Sequence, residues 1–372
     1  MDVTALARHG IMDMSPYIPG KPVEEVQREY GLTDIIKLAS NENPLHTSPK
    51  ALSAMHAELE RCYMYPEGSS PSVRDALSTR LGVDRDCIVV GNGGDHVINM
   101  ICSAFLNEGE EAIVGSPSFK TYESSAEIMG GVLVRVPLVD HRYDLAAVTA
   151  AVTDKTKLIF LCTPNNPTGT IIEKDALDAF LAKVPERCIA VLDEAYCEFA
   201  QSPEYKNGVD YVRQGRNVIV VRTFSKIYGL AGVRVGYAVL KKELADILMR
   251  VLPPFPVNRV AQAGAVAALS DDEFLHEVVR LNAEGREYFY RSFEALGMPY
   301  AKSYANFVFV DTLLPADKLS KALLKRGIIV RPATQWGFST SLRVTVGTMP
   351  ENERFIAALT ELQKIAVSGG AL

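Results

Sequence analysis

The 372-residue chain is 48% hydrophobic and 23% charged, a composition typical of a globular protein with a large core, and its length suggests roughly two domains. Its formal net charge of −6 argues against nucleic acid or an anionic membrane as a partner. The N-terminus lacks a signal-peptide pattern, no apolar run is long enough to span a bilayer, the histidines lack metal-ligand spacing, and the six cysteines include no C-x-x-C pair. We therefore expect a cytoplasmic protein with reduced thiols and no metal site.

The first part of the chain predicts an irregular arm followed by helices. Residues 1–40 are turn-rich, with a short strand at 36–40 that ends in a polar loop. Residues 49–82 predict two short helices around a loop that presents Tyr63 and Tyr65 beside a proline and a glycine. Aromatic side chains in a rigid turn indicate a contact with a ligand or another subunit, although they would equally suit the edge of a core.

The middle of the chain alternates between strand-like and helical patterns. Apolar runs recur at residues 87–90, 111–114, 132–136, 157–161, 188–192, 218–221 and 235–239. Helical spacing lies between most of them, as at Val97, Ile98, Ile101 and Phe105. Apolar strands separated by helices predict a mostly parallel sheet covered on both faces, and such sheets bind ligands at the carboxyl ends of their strands.

Two polar motifs follow the first two of these strands. Residues 91–96, with the sequence GNGGDH, precede a helix predicted to start at Asp95, and their glycines let backbone N–H groups converge on an anion. This turn predicts a phosphate-binding site. Residues 115–122, GSPSFKTY, place Phe119 at a strand end, where its ring could stack on a planar ligand or belong to the core.

Two further motifs follow later strands. Residues 163–169, TPNNPTG, contain two prolines and a glycine that fix the backbone and direct Asn166, whose amide can donate to a phenolate oxygen. Asp193 ends a buried strand and needs a partner, because burying an unpaired carboxylate is costly; a protonated ring nitrogen would serve. Tyr196 lies three residues further on and could reach the same ring.

A lysine-centred stretch follows the strand at 218–221. Lys226 is flanked by Thr223 and Ser225, and Arg234 lies a short distance beyond. A lysine at a strand end among small and hydroxylic residues is placed to bind a flat carbonyl cofactor covalently, with the hydroxyls and the arginine holding a phosphate. The alternative is a surface lysine in a loop.

The chain beyond residue 250 predicts a small α+β domain. Its predicted elements are a helical stretch at about 260–296, a strand at 306–310, a helix at about 315–326, strands at 327–330 and 341–346, and a helix at about 350–366. Arg331 and Arg343 lie in or just after strands, and two arginines converging on a cleft would bind a carboxylate or phosphate. The predicted organisation is therefore an arm and part of the small domain at 1–40, a large α/β domain at 41–250 and the small domain at 251–372.

Together these features are what pyridoxal 5′-phosphate requires: a lysine, an acid for the ring nitrogen, a stacking aromatic ring, and donors for the phenolate and phosphate. The chain resembles the fold-type I aminotransferases of class I/II over nearly its whole length, and among them most closely the histidinol-phosphate aminotransferases. The motifs that carry the resemblance are PYIPG (16–20), ASNENPL (39–45), YPEGSS (65–70), GNGGD (91–95), TPNNPTG (163–169), DEAY (193–196), SK (225–226) with Arg234, and LRVTVG (342–347).

The resemblance implies a role for individual residues. Lys226 resembles the lysine that binds the cofactor covalently, Asp193 the partner of the pyridine nitrogen, Phe119 the stacking ring, and Asn166 and Tyr196 the partners of the phenolate oxygen. The residues implied for the cofactor phosphate are Gly94, Asp95, Thr223, Ser225, Arg234 and, from the neighbouring subunit of a homodimer, Tyr65. The residues implied on the substrate side are Tyr17, Asn43, Arg331 and Arg343.

Two histidines depart from the family pattern. His96 stands where the family usually has an acid, and His46 where it usually has glycine. Neither replaces a catalytic group, so they affect the expected fine specificity rather than the expected chemistry.

The expected function is transamination of histidinol phosphate with 2-oxoglutarate in histidine biosynthesis, because Arg331 and Arg343 suit a substrate phosphate and a carboxylate in turn. One alternative is an aromatic amino-acid aminotransferase, for which Trp336 could line an aromatic pocket. A second alternative is a threonine-phosphate decarboxylase. A non-catalytic cofactor-binding regulator is disfavoured, because such proteins generally carry a DNA-binding domain.

Overall fold

The computed structural model describes residues 3–8, 10–14, 16 and 20–370. The strands in this part of the chain are β1 (Ile36–Leu38), β2 (Ile88–Gly91), β3 (Glu111–Ser116), β4 (Val132–Pro137), β5 (Thr156–Cys162), β6 (Ile189–Asp193), β7 (Val218–Thr223), β8 (Gly236–Leu240), β9 (Tyr300–Ala301), β10 (Phe307–Asp311), β11 (Ile328–Pro332) and β12 (Ser341–Thr345).

The α-helices of the described residues are α1 (Val23–Tyr30), α2 (Pro49–Leu59), α3 (Pro71–Leu81), α4 (Gly93–Phe105), α5 (Lys120–Ile128), α6 (Leu145–Ala150), α7 (Lys174–Leu181), α8 (Val209–Arg213), α9 (Lys242–Leu248), α10 (Arg259–Leu269), α11 (Asp272–Ala295), α12 (Ala316–Leu324) and α13 (Met349–Val367).

The larger sheet has the strand order β2-β8-β7-β6-β5-β3-β4. Strands β7, β6, β5, β3 and β4 run parallel to one another, and β8 runs antiparallel to both β2 and β7. The predicted mostly parallel α/β sheet is therefore confirmed. Its parallel strands bring the polar segments after β3, β5, β6 and β7 to one edge.

The strands of this sheet are apolar throughout because both faces are covered. Successive residues of β5 belong to opposite hydrophobic clusters: Leu158 and Phe160 pack on one face, Ile159 and Leu161 on the other. This alternation follows from the period of two along a strand. It explains why a continuous apolar run, rather than an alternating one, marks each strand in the sequence.

The smaller sheet has the order β1-β11-β12-β10-β9. Strand β1 pairs in parallel with β11, and the remaining pairs are antiparallel. Its core includes Phe289, Phe293 and Phe355 from α11 and α13. The chain thus passes through this sheet at β1, builds the larger sheet, and returns at β9.

Two local predictions differ from the structure. Residues 23–30 form α1 instead of continuing an irregular arm, because Val26 is buried with Ile329 and Leu324 from distant parts of the chain. The predicted helical stretch at 260–296 is two helices, α10 and α11. The break falls at Asp271, whose φ of −106° and ψ of 63° are not helical, as is usual for an aspartate at a helix start.

Candidate active site

A cavity of about 270 Å³ lies at the carboxyl edge of the larger sheet, where residues of the smaller sheet close it. Most of the residues predicted for the site line this cavity. They are Gly94, Asp95, Phe119, Asn166, Asp193, Tyr196, Thr223, Ser225, Lys226, Arg234, Arg331 and Arg343.

Lys226 follows β7 and directs its amine into the cavity. The side chain is partly buried, and Nζ donates a hydrogen bond to the Ser40 carbonyl at 3.1 Å. Burial lowers the pKa of Lys226 to about 8, and the positive charge of Arg343 acts in the same direction. A substantial fraction of the amine is therefore neutral near physiological pH, which is the form that attacks a carbonyl carbon or accepts a proton.

Asp193 is the last residue of β6 and is buried. Tyr122 Oη donates to its Oδ2 at 2.6 Å, and the Ala195 N–H donates to its Oδ1 at 3.0 Å. Burial raises the pKa of Asp193 to about 6 despite these two hydrogen bonds. Both donors are neutral, and no ion pair to Asp193 is present among the described residues, so a cationic ring N–H would fit this carboxylate.

The glycine-rich turn after β2 forms a cradle around the start of α4. The helix begins at Gly93, two residues before the predicted start at Asp95, and its φ of 85° is one that glycine adopts readily. A Cβ on Gly93 would lie 2.4 Å from Arg234 Nη2, and a Cβ on Gly236 would lie 2.7 Å from the Gly94 nitrogen. Only glycine at these two positions therefore lets Arg234 and β8 approach the start of α4 so closely.

Arg234 and the residues around Lys226 complete the cradle. Arg234 Nη1 donates to Ser225 Oγ at 3.2 Å, and its Nη2 lies 3.5 Å from Asp95 Oδ2. Thr223 Oγ1 accepts from the Ser225 N–H at 3.0 Å. Two hydroxyls, a guanidinium and the N-terminus of a 13-residue helix face one part of the cavity, a donor set that suits a phosphate dianion.

Asn166 and Tyr196 lie on the side of the cavity nearer the smaller sheet. Tyr196 Oη accepts from Asn41 Nδ2 at 3.0 Å, and Asn166 Oδ1 accepts from Arg343 Nη1 at 2.5 Å. Burial raises the pKa of Tyr196, so the phenol is protonated at neutral pH. With its oxygen held by Arg343, the Asn166 amide is oriented to donate through Nδ2.

Phe119 is half-buried at the start of α5 and meets the Tyr122 ring edge-on, with centroids 5.7 Å apart. Its ring lines the cavity and contacts Tyr122, the residue that donates a hydrogen bond to Asp193. This position is consistent with the predicted stacking against a planar ligand.

Arg331 and Arg343 are directly opposite each other on β11 and β12. Residues paired in this way share one face of a sheet, and both side chains line the cavity. Arg331 Nη2 donates to Gln335 Oε1 at 2.8 Å. Two guanidinium groups on one face produce a positive end of the cavity that favours anionic substrates.

Two of the predicted residues that the structure describes do not line the cavity. Asn43 is buried, and its Nδ2 donates to the Ile227 carbonyl at 2.7 Å, so it supports the chain next to Lys226. Tyr65 is 79% exposed and stacks on Phe255 with centroids 4.6 Å apart. Tyr17 lies outside the residues that the structure describes.

Two residues that hydrogen-bond to predicted site residues were not predicted from the sequence. Tyr122 is the residue that bonds Asp193, and the only local signal is its helical spacing after Phe119. Asn41 bonds Tyr196, although the polar loop that contains it pointed to Asn43 instead. Both contacts join segments far apart in the sequence, which no local pattern reveals.

Two features are absent from residues 3–8, 10–14, 16 and 20–370. No cluster of three or more His, Cys, Asp and Glu side chains suited to a metal occurs there. No helix of that part of the chain is long and apolar enough to cross a membrane.

Comparison with known proteins gives consistent matches. Residues 33–359 match the family model for aminotransferase class I and II. The chain is 48% identical over 356 residues to a histidinol-phosphate aminotransferase of Moorella thermoacetica, covering 95% of this chain and 92% of that protein. It is 44% identical to a protein of the same name from Caldicellulosiruptor saccharolyticus, covering 95% and 99%.

Solved structures agree with these relatives. The fold is similar to that of a histidinol-phosphate aminotransferase from Sinorhizobium meliloti, crystallised with pyridoxal 5′-phosphate, at a TM-score of 0.88 and 29% identity. The match covers 95% of this chain and 97% of that one. An aspartate aminotransferase of Thermus thermophilus, at a TM-score of 0.82 and 24% identity, shares the fold and covers 96% and 99% of the two chains.

Proposed function

The chain belongs to the class I and II aminotransferases, and we propose that it transfers the amino group of histidinol phosphate to 2-oxoglutarate in histidine biosynthesis. The main support for the proposal is sequence identity to relatives named for this activity, 48% and 44% over 95% of the chain. The positive end of the cavity, formed by Arg331 and Arg343, supports it.

The cofactor of this enzyme is pyridoxal 5′-phosphate, and the cavity residues fit it. When bound, it supplies an aldehyde that joins covalently to amines and a ring that accepts electrons from the adjacent carbon. Asp193 would hold the ring nitrogen in its protonated form, and Asn166 and Tyr196 would donate to the phenolate oxygen. Phe119 would cover the ring face. The cradle of Gly94, Asp95, Thr223, Ser225 and Arg234 would bind the phosphate.

Lys226 would have two roles. Its amine would hold the cofactor covalently before substrate arrives. Once displaced by the substrate amine, Nζ would take the proton from the carbon that carries that amine and deliver it to the cofactor carbon that had formed the aldehyde. A pKa of about 8 supports both roles, because the neutral and charged forms of the amine are then both accessible at neutral pH.

Arg331 and Arg343 would bind the two substrates in turn. The phosphate of histidinol phosphate and the carboxylates of 2-oxoglutarate are both anions that guanidinium groups bind with paired hydrogen bonds. The opposite positions of the two arginines on β11 and β12 support a shared anion site. Each half-reaction would then use the same residues for a different substrate.

We further propose a homodimer in which Tyr65 reaches the cofactor phosphate of the neighbouring subunit. The support is its high exposure, 79% within a single chain, together with the 84% exposure of Tyr63. The proposed location is the cytoplasm, which is supported by the free state of all six cysteines.

Initial rates test the substrate assignment. The purified holoenzyme is given histidinol phosphate, phenylalanine or tyrosine, each with 2-oxoglutarate, and we expect histidinol phosphate to have the highest kcat/KM. Higher values with the aromatic amino acids would replace this proposal with an aromatic aminotransferase. Release of carbon dioxide from threonine phosphate would indicate the decarboxylase.

A further inference from the structure

The guanidinium of Arg343 is held on two edges by hydrogen bonds. Nη1 donates to Asn166 Oδ1 at 2.5 Å, and Nη2 donates to the Ala39 carbonyl at 2.6 Å. The residue is buried, with 7% of its surface exposed. These bonds fix the position of the guanidinium within its own plane. Its tilt out of that plane depends on the neighbouring side chains.

Two aromatic rings lie close to the guanidinium. The Phe307 and Trp336 ring centroids each lie 5.4 Å from Arg343 Cζ, within the range of cation–π attraction. Phe307 is fully buried at the start of β10 and belongs to the core. Trp336 is half-buried in the turn between β11 and β12, and packs with Ala301, Phe309 and Ala333.

Trp336 lies next to a residue of the cavity wall. Its ring contacts the arginine, and it is not among the described residues that line the cavity. It therefore acts on the site through Arg343. A guanidinium next to an aromatic ring is less hydrated on that side, and it binds anions through its N–H groups.

We propose that Trp336 is a positioning residue that sets the affinity of Arg343 for the carboxylate of the 2-oxo acid substrate. This inference rests on the proposed substrate role of Arg343. Removing the ring would admit water to the guanidinium face and let the group tilt away from the orientation that Asn166 and Ala39 give it. Binding of the carboxylate would weaken, while the hydrogen bonds of Lys226 to Ser40 and of Asp193 to Tyr122 and Ala195 would remain.

Three variants of the holoenzyme separate this role from a general packing role. Trp336→Leu removes the ring, and Trp336→Phe restores a smaller aromatic face. Phe338→Leu is the matched control, because Phe338 is an aromatic, half-buried residue of the same turn that contacts Phe309 and His141.

We expect Trp336→Leu to raise the KM for 2-oxoglutarate about fivefold or more with kcat within about twofold. Trp336→Phe should recover most of that loss, and Phe338→Leu should change KM by less than about twofold.

A binding measurement makes the test independent of turnover. Trp336 is the only tryptophan of the sequence, so the intrinsic tryptophan fluorescence of the wild-type holoenzyme reports its surroundings alone. Titration with 2-oxoglutarate in the absence of an amino donor should change that emission, with a midpoint equal to the inhibition constant of 2-oxoglutarate against the donor. If no histidinol phosphate turnover occurs but the emission still responds, the substrate assignment fails, whereas binding of 2-oxoglutarate next to Trp336 stands.

Three results would overturn the inference. One is normal turnover with an unchanged KM for 2-oxoglutarate in Trp336→Leu, or with wild-type emission that does not respond to 2-oxoglutarate. Another is an equal rise in KM for Trp336→Leu and Phe338→Leu, which would assign the effect to the turn as a whole. The third is a loss in Trp336→Leu that Trp336→Phe does not recover at all, which would exclude the aromatic face as its cause.

Discussion

Burial holds the pKa of the Asp193 carboxyl at about 6, although Tyr122 and the Ala195 N–H donate hydrogen bonds to its charged form. This value lies above the ordinary 3.8, so the folded chain binds the proton more tightly than the unfolded chain does. The stability that this group contributes is therefore present at low pH and is lost as the pH rises through about 6. Above that pH, a bound cationic ring would remove the free-energy cost of burying the ionised carboxylate.

The substitution Asp193→Asn tests the free-energy cost of burying this charge. The cofactor-free variant should be more stable than the cofactor-free wild type by about 1–2 kcal/mol at pH 7.5, since the buried charge is gone. The difference should disappear near pH 4, where wild-type Asp193 is protonated. Urea unfolding at the two pH values measures both quantities. A variant that is destabilised equally at both would show that the charge of Asp193 has no cost.

Tyr122→Phe tests how the carboxylate is kept ionised. Loss of the hydrogen bond should raise the pKa of Asp193 above about 6 and weaken cofactor binding at pH 7, with the acidic fall in affinity moved to higher pH. Absorbance titration of the apoprotein with pyridoxal 5′-phosphate gives the affinity. Tyr143→Phe is the control, because Tyr143 bonds the Cys162 N–H and Ser118 in the same region. Equal effects of the two changes would refute the specific role of Tyr122.

Sequence reasoning identified Asp193 but not Tyr122, and the reason is physical. A carboxylate at the end of an apolar strand is a local pattern with a clear energetic need. The hydroxyl that meets part of that need lies 71 positions away in the chain. It reaches Asp193 only because α5 packs beside the larger sheet, a tertiary relation that periodicity does not contain.

The start of α4 is the element on which phosphate binding depends. The sequence predicted a glycine-rich turn with converging N–H groups, and the cradle has that form around Gly93 and Gly94. The two-residue error in the helix start arose because Gly93 was assigned to the turn. Glycine is a poor helix former in general, but at this position the close approach of Arg234 excludes a side chain.

Gly93→Ala should therefore lower the affinity for pyridoxal 5′-phosphate by about tenfold or more, because the new methyl group would displace Arg234. Gly109→Ala is a matched control: its φ of 79° is also positive, but a Cβ there meets no atom within 4 Å. Both variants carry backbone strain, and only the first should lose affinity for the cofactor. Similar affinities in the two variants, measured by titration of each apoprotein, would refute the importance of the close approach.

At the scale of the whole molecule, the site forms where the two sheets meet. Arg343 of β12 bonds Asn166 at a separation of 177 residues, and Asn41, after β1, bonds Tyr196 at a separation of 155. The sequence predicted both sheets and the polar residues at their edges. It could not predict these contacts, because they depend on how the smaller sheet packs against the larger one.

Subunit mixing tests the proposed homodimer. Lys226→Ala and Tyr65→Ala should each be nearly inactive alone, whereas mixed dimers should regain activity, because one site would combine an intact Lys226 with the partner subunit's Tyr65. The mixture is unfolded and refolded together, and its activity is compared with that of the separate variants. A mixture no more active than its components would show that Tyr65 does not act across an interface.

The proposed chemistry depends on covalent binding of pyridoxal 5′-phosphate by the Lys226 amine, in the cavity that Asp193 also lines. Borohydride reduction of the holoenzyme, followed by digestion and mass spectrometry, tests it most directly. We expect a single reduced cofactor adduct on the peptide that contains Lys226, and no adduct in the Lys226→Ala variant. An adduct on another lysine, or a tightly bound cofactor that reduction leaves unattached, would contradict it.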